Sequence, residues 1–303
     1  MKKKKIPIIT GIFCICLASC IKDFNIDTKG NKPQLVVEAY INNLMREYNY
    51  VVLSRSLDYL STNFQSTPVS KASVFITEGE VKNKQYNWDA STKIQLIESS
   101  LPMIPANFKN GVYFDPRLTS DPSHALLGSS GKCYLLEISD GDNHYSAVTN
   151  LLRPVPIDSL TLGYRYTDVN DSNKVKLRIT NHYQDPDTLN NSQLYYYRSH
   201  GNRSNFGWGG LYKSRIAGTD DLTNGQYLHL TFPRGFVVGD SVTCYMASVT
   251  RDVYNFWDTF NKARDNNGPF ATPVSLSTNI SGANVTGCFS GFSLSSKMVV
   301  IKE

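Results

Sequence analysis

The stretch NKVKLRITN, residues 173–181, sets Val175, Leu177 and Ile179 on one side and Lys174, Lys176 and Arg178 on the other. A two-residue period sends successive side chains to opposite faces of a pleated strand, so this stretch can bury one face and wet the other. The same alternation returns along almost the whole chain. In QLVVEAYIN, Leu35, Val37, Ala39 and Ile41 share a face, and in ASVFITEG, Val74 and Ile76 alternate with Ser73, Phe75 and Thr77. YVVLSRS, KIQLIES, GVYFD, CYLLEIS, QLYYYRSH, QYLHLTFP and DSVTCYMASVT continue the series. Between two such runs, Asp140, Gly141, Asp142 and Asn143 supply hairpin-turn chemistry. Short strands at this spacing predict a mainly β protein of antiparallel sandwiches, immunoglobulin-like or transthyretin-like in layout.

RPVPIDSLTL changes the texture, because Pro154 and Pro156 cannot donate ladder hydrogen bonds. A domain boundary is expected there, giving a first sandwich over 35–153 and a second over 154–303. One segment, TRDVYNFWDTFNKARDNNGP, leaves the β pattern: Val253, Phe256, Trp257 and Phe260 fall on one helical face. Thr250 or Asp252 can cap its start, and Asn267, Gly268 and Pro269 stop it. A lone amphipathic helix in such a protein is expected to cover an edge or end of a sandwich, the alternative being an exposed face that docks a partner.

The first nineteen residues have another character. Lys2 to Lys5 precede an apolar run from Ile6 to Leu17, too short for a spanning helix of roughly 20 residues and suited to a secretory signal. Leu17, Ala18, Ser19 and Cys20 then read as a lipobox. The thiol accepts a diacylglycerol, small residues let a peptidase reach the bond, and a further acyl chain caps the new amine. Residues 1–19 are thus expected to be a lipoprotein signal peptide, Cys20 the lipidation site, and the polar stretch 20–34 a tether. An ordinary secretory signal is the alternative, though no better cleavage site follows. Several acyl chains anchor a protein far more firmly than one, at about 0.8 kcal/mol per buried CH₂.

Without the leader, 27 basic side chains stand against 26 acidic ones, which offers no basic face for nucleic acid. Cys133, Cys244 and Cys288 remain besides Cys20, an odd number that precludes full pairing. Buried free thiols are one reading and a Cys244–Cys288 disulfide in an oxidising compartment is the other. His124, His144, His182, His200 and His229 stand at none of the familiar zinc-site spacings, and no G-x-S-x-G elbow occurs. The acid pairs Asp140/Asp142 and Asp185/Asp187 lie in turn-like sequence, where Asp favours local hydrogen bonding; a weak calcium loop is the rival reading. No catalytic residues, metal or cofactor are expected. In YYYRSHGNRSNFGWGGLYKSR, Phe206, Trp208 and Tyr212 sit among glycines, as candidate contacts for a glycan, peptide or protein partner. Folding back over the sandwich end is the alternative for these three.

LVVEAYIN, RPVPIDSL, YNFWDTF and NGPFATPVSLSTNISGANVTGCFSGFS together resemble the landmarks of the bacterial lipoproteins catalogued as domain of unknown function 4249. The resemblance runs from Cys20 to about Phe292. GANVTGCFSG departs from it, where the family usually has a Gly-Gly pair and a shorter apolar approach to the Phe. PVSKASVFI and NGVYF also weakly resemble transthyretin-like or carboxypeptidase-regulatory sandwiches, which are mostly structural. The family resemblance implies an outer-membrane lipoprotein of Gram-negative bacteria, often encoded near TonB-dependent receptors, with no established activity. The expected function is a non-enzymatic binding or accessory subunit working with such a transporter, on a periplasmic or surface face left open. An autonomous surface glycan or protein binder is the alternative, and a hydrolase with dispersed residues a weaker one.

Overall fold

The computed structural model describes residues 33–57, 67–98, 110–168, 171–189, 191–200, 216–219, 223–266 and 274–302. From Pro33 on the chain forms one compact unit. The first half contributes β1 (Leu35–Asn42), β2 (Tyr50–Arg55), β3 (Thr67–Pro68), β4 (Ser73–Lys82), β5 (Gln85–Trp88), β6 (Ile94–Glu98), β7 (Val112–Phe114), β8 (Cys133–Asp140) and β9 (Asn143–Asn150). The second contributes β10 (Ser159–Asp168), β11 (Asp171–Gln184), β12 (Ser192–Ser199), β13 (Ile216–Thr219), β14 (Tyr227–Val237), β15 (Ser241–Val249), β16 (Ile280–Ser281) and β17 (Val285–Val300). Among the described residues one helix of regular length, α1 (Arg251–Asp265), interrupts them. The turn expected between β8 and β9 forms: Asp140 pairs with Asn143, and Gly141 takes φ +58° as the first central residue, the position where a two-residue type II′ turn wants glycine.

Among the described residues fourteen strands join in one sheet, twelve of them along the hydrogen-bonded path β13-β12-β15-β17-β1-β2-β7-β6-β4-β8-β9-β16, with β3 on β2 and β5 on β4. β10, β11 and β14 form a separate three-stranded sheet. The path is not purely antiparallel as expected, because β1 pairs with β17 in parallel, Leu35 opposite Val285 through Asn42 opposite Phe292. Alternation fixes which side chains share a face, but it fixes neither the partner strand nor its direction.

β17 is the organising strand. Its first half, 285–292, pairs with β1, and its second half, 293–300, pairs with β15. Sixteen residues long, it spans about 50 Å at roughly 3.3 Å per residue. The joint expected between 153 and 154 runs along its second half. Ser295 Oγ donates to the Val155 carbonyl at 2.6 Å, Ser293 Oγ to that of Leu152, and Lys297 Nζ to those of Ile157 and Asp158. These donors at i, i+2 and i+4 lie on one face of β17 and satisfy carbonyls of a segment whose prolines cannot enter a ladder. Val155 donates its own N–H to Ser248 Oγ at 3.2 Å.

The described apolar side chains gather in three clusters. In the first, Val37 and Ala39 of β1 and Leu53 of β2 meet Val74 and Ile76 of β4 and Leu136 and Ile138 of β8. In the third, Leu177 and Ile179 of β11 and Phe232 of β14 meet Tyr195 of β12 and Val242, Cys244 and Met246 of β15. In the second, Leu194 and Tyr196 of β12 and Tyr245 and Ala247 of β15, on the other faces of those strands, gather with side chains of α1. The helix thus covers a sheet face: Val253, Phe256 and Trp257 are buried there, and Trp257 Nε1 donates to Ser290 Oγ at 3.1 Å. Thr250 precedes its first turn in extended conformation without a side-chain cap bond.

The three described thiols are buried, and none is in a disulfide. Cys244 stands opposite Lys297 on β17, while Cys288 lies nine residues earlier on that strand, opposite Glu38. That is roughly 30 Å along the strand, against the ~7 Å limit between bridged Cα atoms, so the Cys244–Cys288 disulfide does not form. Burial pushes the Cys244 thiol up to about 12.

Candidate functional site

Cys20, Phe206, Trp208, Tyr212 and the helix stop at 267–269 lie outside the described residues. Of the acid pairs, Asp140 forms an ion pair with Arg55 of β2, beside the turn that it opens. Asp185 is 2% exposed and accepts the Gly225 N–H at 3.1 Å. Both serve turn and loop closure. Among the described residues no group of three or more His, Cys, Asp or Glu is placed to hold a metal, and no helix is long and apolar enough to cross a membrane.

One cleft opens at the Asn42 end of β1. It measures about 380 Å³ and presents Arg46, Glu78, Arg117, His124, Leu126 and Tyr134. Its rim is built by two buried asparagines. Asn42 Oδ1 accepts the N–H groups of Leu44 and Met45 at 2.9 and 2.7 Å, an Asx-type closure that turns the chain sharply after β1. Asn49 Nδ2 donates to the Leu126 carbonyl at 2.8 Å, and the Gly128 N–H to the Asn42 carbonyl at 2.8 Å, which ties the 125–128 loop to that turn.

Charge is then placed on this frame. The Asp115 side chain, 1% exposed, accepts from Arg117 Nε at 3.0 Å, Arg117 Nη2 at 2.7 Å and the Leu126 N–H at 2.6 Å. Burial works to raise its pKa, but the guanidinium and the backbone donors outweigh it and hold the carboxyl below the usual range. Arg117 is thereby fixed in a fork geometry while its side chain stays 40% exposed. Arg46 donates to the Ala125 carbonyl. Across the cleft, the Tyr134 hydroxyl donates to Glu78 at 2.6 Å and accepts the Ser129 N–H at 2.6 Å; burial raises its pKa. Lys132 Nζ lies 4.0 Å from Glu78. The cleft therefore offers two guanidinium groups to an anionic ligand and a carboxylate–phenol pair to its hydroxyl or amide groups.

A smaller pocket of about 220 Å³ lies over β11, β12 and β14, with Tyr183, Asp185, Gln193, Tyr195 and Leu230 in its wall. Tyr183 and Tyr195 share a hydroxyl–hydroxyl hydrogen bond. Gln193 Nε2 is buried without a protein partner, so a polar ligand atom or water suits this wall.

Sequence reading missed both sites. Arg46, Glu78, Arg117 and Tyr134 are far apart in the chain and follow no common spacing, and only the fold brings them to one cleft. The Asp-Pro-Arg run at 115–117 was the one local signal, since Asp before Pro-X opens a turn and braces it.

No curated protein matches the chain. Among solved structures, a chain of "Cytokine receptor complex - Crystal form 1A" aligns over 89% of this chain and 97% of its own at 8% identity, with a TM-score of 0.24, too slight a likeness to carry an argument. A family model described as Domain of unknown function (DUF4249) matches residues 21–298, and the chain belongs to that family.

Proposed function

We propose that this protein is a lipid-anchored, non-enzymatic binding subunit of the outer membrane that works with a TonB-dependent transporter and takes ligand in the Arg46–Arg117 cleft. The observation that carries this reading is the cleft's position. The chain enters the fold at Pro33, where the Leu35 N–H bonds to the Asn284 carbonyl at 3.0 Å and Asn284 Nδ2 to the Pro33 carbonyl at 3.0 Å. The cleft lies at the other end of β1, beyond Asn42. An anchor at Cys20 joins the folded unit through the chain at Pro33, at the end of β1 away from the cleft. The lipobox and the family's usual gene context support the anchor and the transporter; the two apolar clusters packed on separate sets of strands support two sandwiches sharing β17. Phe206, Trp208 and Tyr212 remain partner contacts in this reading, on the β12–β13 connection.

A mild-detergent pull-down of the tagged protein, with a Cys20→Ser control, tests it. Co-purification of a large β-barrel receptor with the lipidated form alone is the expected result. Recovery of the protein by itself would sink the transporter link, and ligand binding by that isolated protein would favour an autonomous glycan or peptide binder. Within a recovered complex, Arg117→Gln should weaken ligand capture with little change in anchoring.

A further inference from the structure

The outer face of the three-stranded sheet carries an arrangement that the proposed binding role does not use. Leu177, Ile179 and Tyr183 of β11 turn inward, so the alternate residues Thr180 and His182 face outward. The register sets His182 opposite His229 of β14. Their Nδ1 atoms are 2.6 Å apart, with ring centroids 4.7 Å apart and planes at 73°. His182 Nε2 lies 2.7 Å from Thr161 Oγ1 on β10, so all three strands hold the pair. Tyr227, on the same face, approaches His229 edge-on at 5.3 Å. Thr180 and Thr231 bond to each other at 2.8 Å on the next rung.

We propose that His182 and His229 form a divalent transition-metal site, with copper(II) preferred. Two neutral imidazoles facing each other through Nδ1 share one N–H between two lone-pair positions. If each ring carries its proton on Nε2 instead, both Nδ1 lone pairs point at one metal ion. The shift moves protons between ring nitrogens, and the neutral pair releases none. Thr161 Oγ1 then accepts the His182 Nε2–H, the outer-shell bond that fixes tautomer and ring plane at metal-bound histidines. The short nitrogen separation selects the geometry. Ligands ~2.0 Å from the metal lie about 2.8 Å apart at cis positions of a tetragonal site and about 3.3 Å apart in a tetrahedral one. The observed 2.6 Å needs little opening for the first and much more for the second. Tetragonal nitrogen ligation and the general affinity order both favour copper(II) over zinc. Solvent fills the other positions, as no third described His, Cys, Asp or Glu joins the pair.

The test titrates copper(II) and, separately, zinc(II) into the full chain in mild detergent, followed by calorimetry and electron paramagnetic resonance. One copper per chain with a tetragonal, nitrogen-coupled spectrum is expected. His182→Ala and His229→Ala should each weaken binding on the order of tenfold or more, and Thr161→Val should weaken it less. His144→Ala, on another strand, should change nothing. His182 and His229 lie on a solvent-facing sheet surface, and circular dichroism verifies that each variant keeps its fold. Copper binding unchanged in both histidine variants would overturn the site, and zinc binding as tight as copper would overturn the metal preference.

Discussion

Asn49 Oδ1 accepts both the backbone N–H of Asn42 at 2.7 Å and its side-chain Nδ2 at 2.6 Å, and both residues are fully buried. This pair closes the turn after β1 and supports the cleft. Asn49→Ala takes the side-chain acceptor from the Asn42 N–H, leaves the Asn42 Nδ2 only its bond to the Met45 carbonyl, and frees the Leu126 carbonyl. A buried polar group so orphaned costs about 1–3 kcal/mol, and two or more are orphaned here. Urea unfolding should show a loss of roughly 3 kcal/mol. A change no larger than that of an exposed control, such as Asn87→Ala, would refute the clamp.

The β1–β17 junction depends on Gly287. Its φ is +121°, and an added Cβ would stand 1.9 Å from the Val37 carbonyl oxygen. Neither strain nor clash can relax without parting the parallel pair. Gly287→Ala should therefore destabilise the fold by more than about 4 kcal/mol, read as loss of soluble yield or a collapsed melting temperature. Gly131, also at positive φ but with open space around it, makes the comparison: alanine there should cost only on the order of 1 kcal/mol.

The depressed Asp115 carboxyl gives a pH signature. A carboxylate whose folded pKa lies below its unfolded value, about 3.9, contributes stability that is present above that value and lost as pH falls through the folded one. The urea midpoint should drop on acidification below about pH 4, and Asp115→Asn should start lower and fall less steeply over that range. A parallel acid limb in the variant would show that the stabilising pair with Arg117 is not there. Glu98, held low by the Gly111 N–H, Ser70 and Lys71 against the cost of burial, retains part of the slope in both proteins.

Burial makes the thiols inert. Cys133, Cys244 and Cys288 are in no disulfide, and burial raises the pKa of both Cys133 and Cys244, so little thiolate is available at neutral pH. A Cys20→Ser chain without its leader should give almost no reaction with a thiol reagent when native and three thiols in denaturant. Only one thiol in denaturant would mean that a disulfide forms after all.

Much of this protein follows from side-chain order alone. The alternation in Leu35–Ile41, Val74–Ile76 and Leu177–Ile179 determined strands and inward faces, because a pleat sends every second side chain to the same side. The 3.6-residue spacing of Val253, Phe256 and Trp257 determined the helix and its buried face for the same geometric reason. Gly141 after Asp140 marked the hairpin. β17 was not legible: GCFSGFSLSS reads as turn chemistry, yet its small residues permit close approach of β1 and bonding to the 152–158 joint. Only tertiary structure could decide that β17 pairs with β1 in parallel and with β15 in antiparallel, since strand partners are chosen by long-range packing. The cleft at Arg46 and Arg117 and the pair His182–His229 belong to that second kind. Their members are separated by long stretches of chain, and strand order and register, which no local pattern encodes, set them side by side.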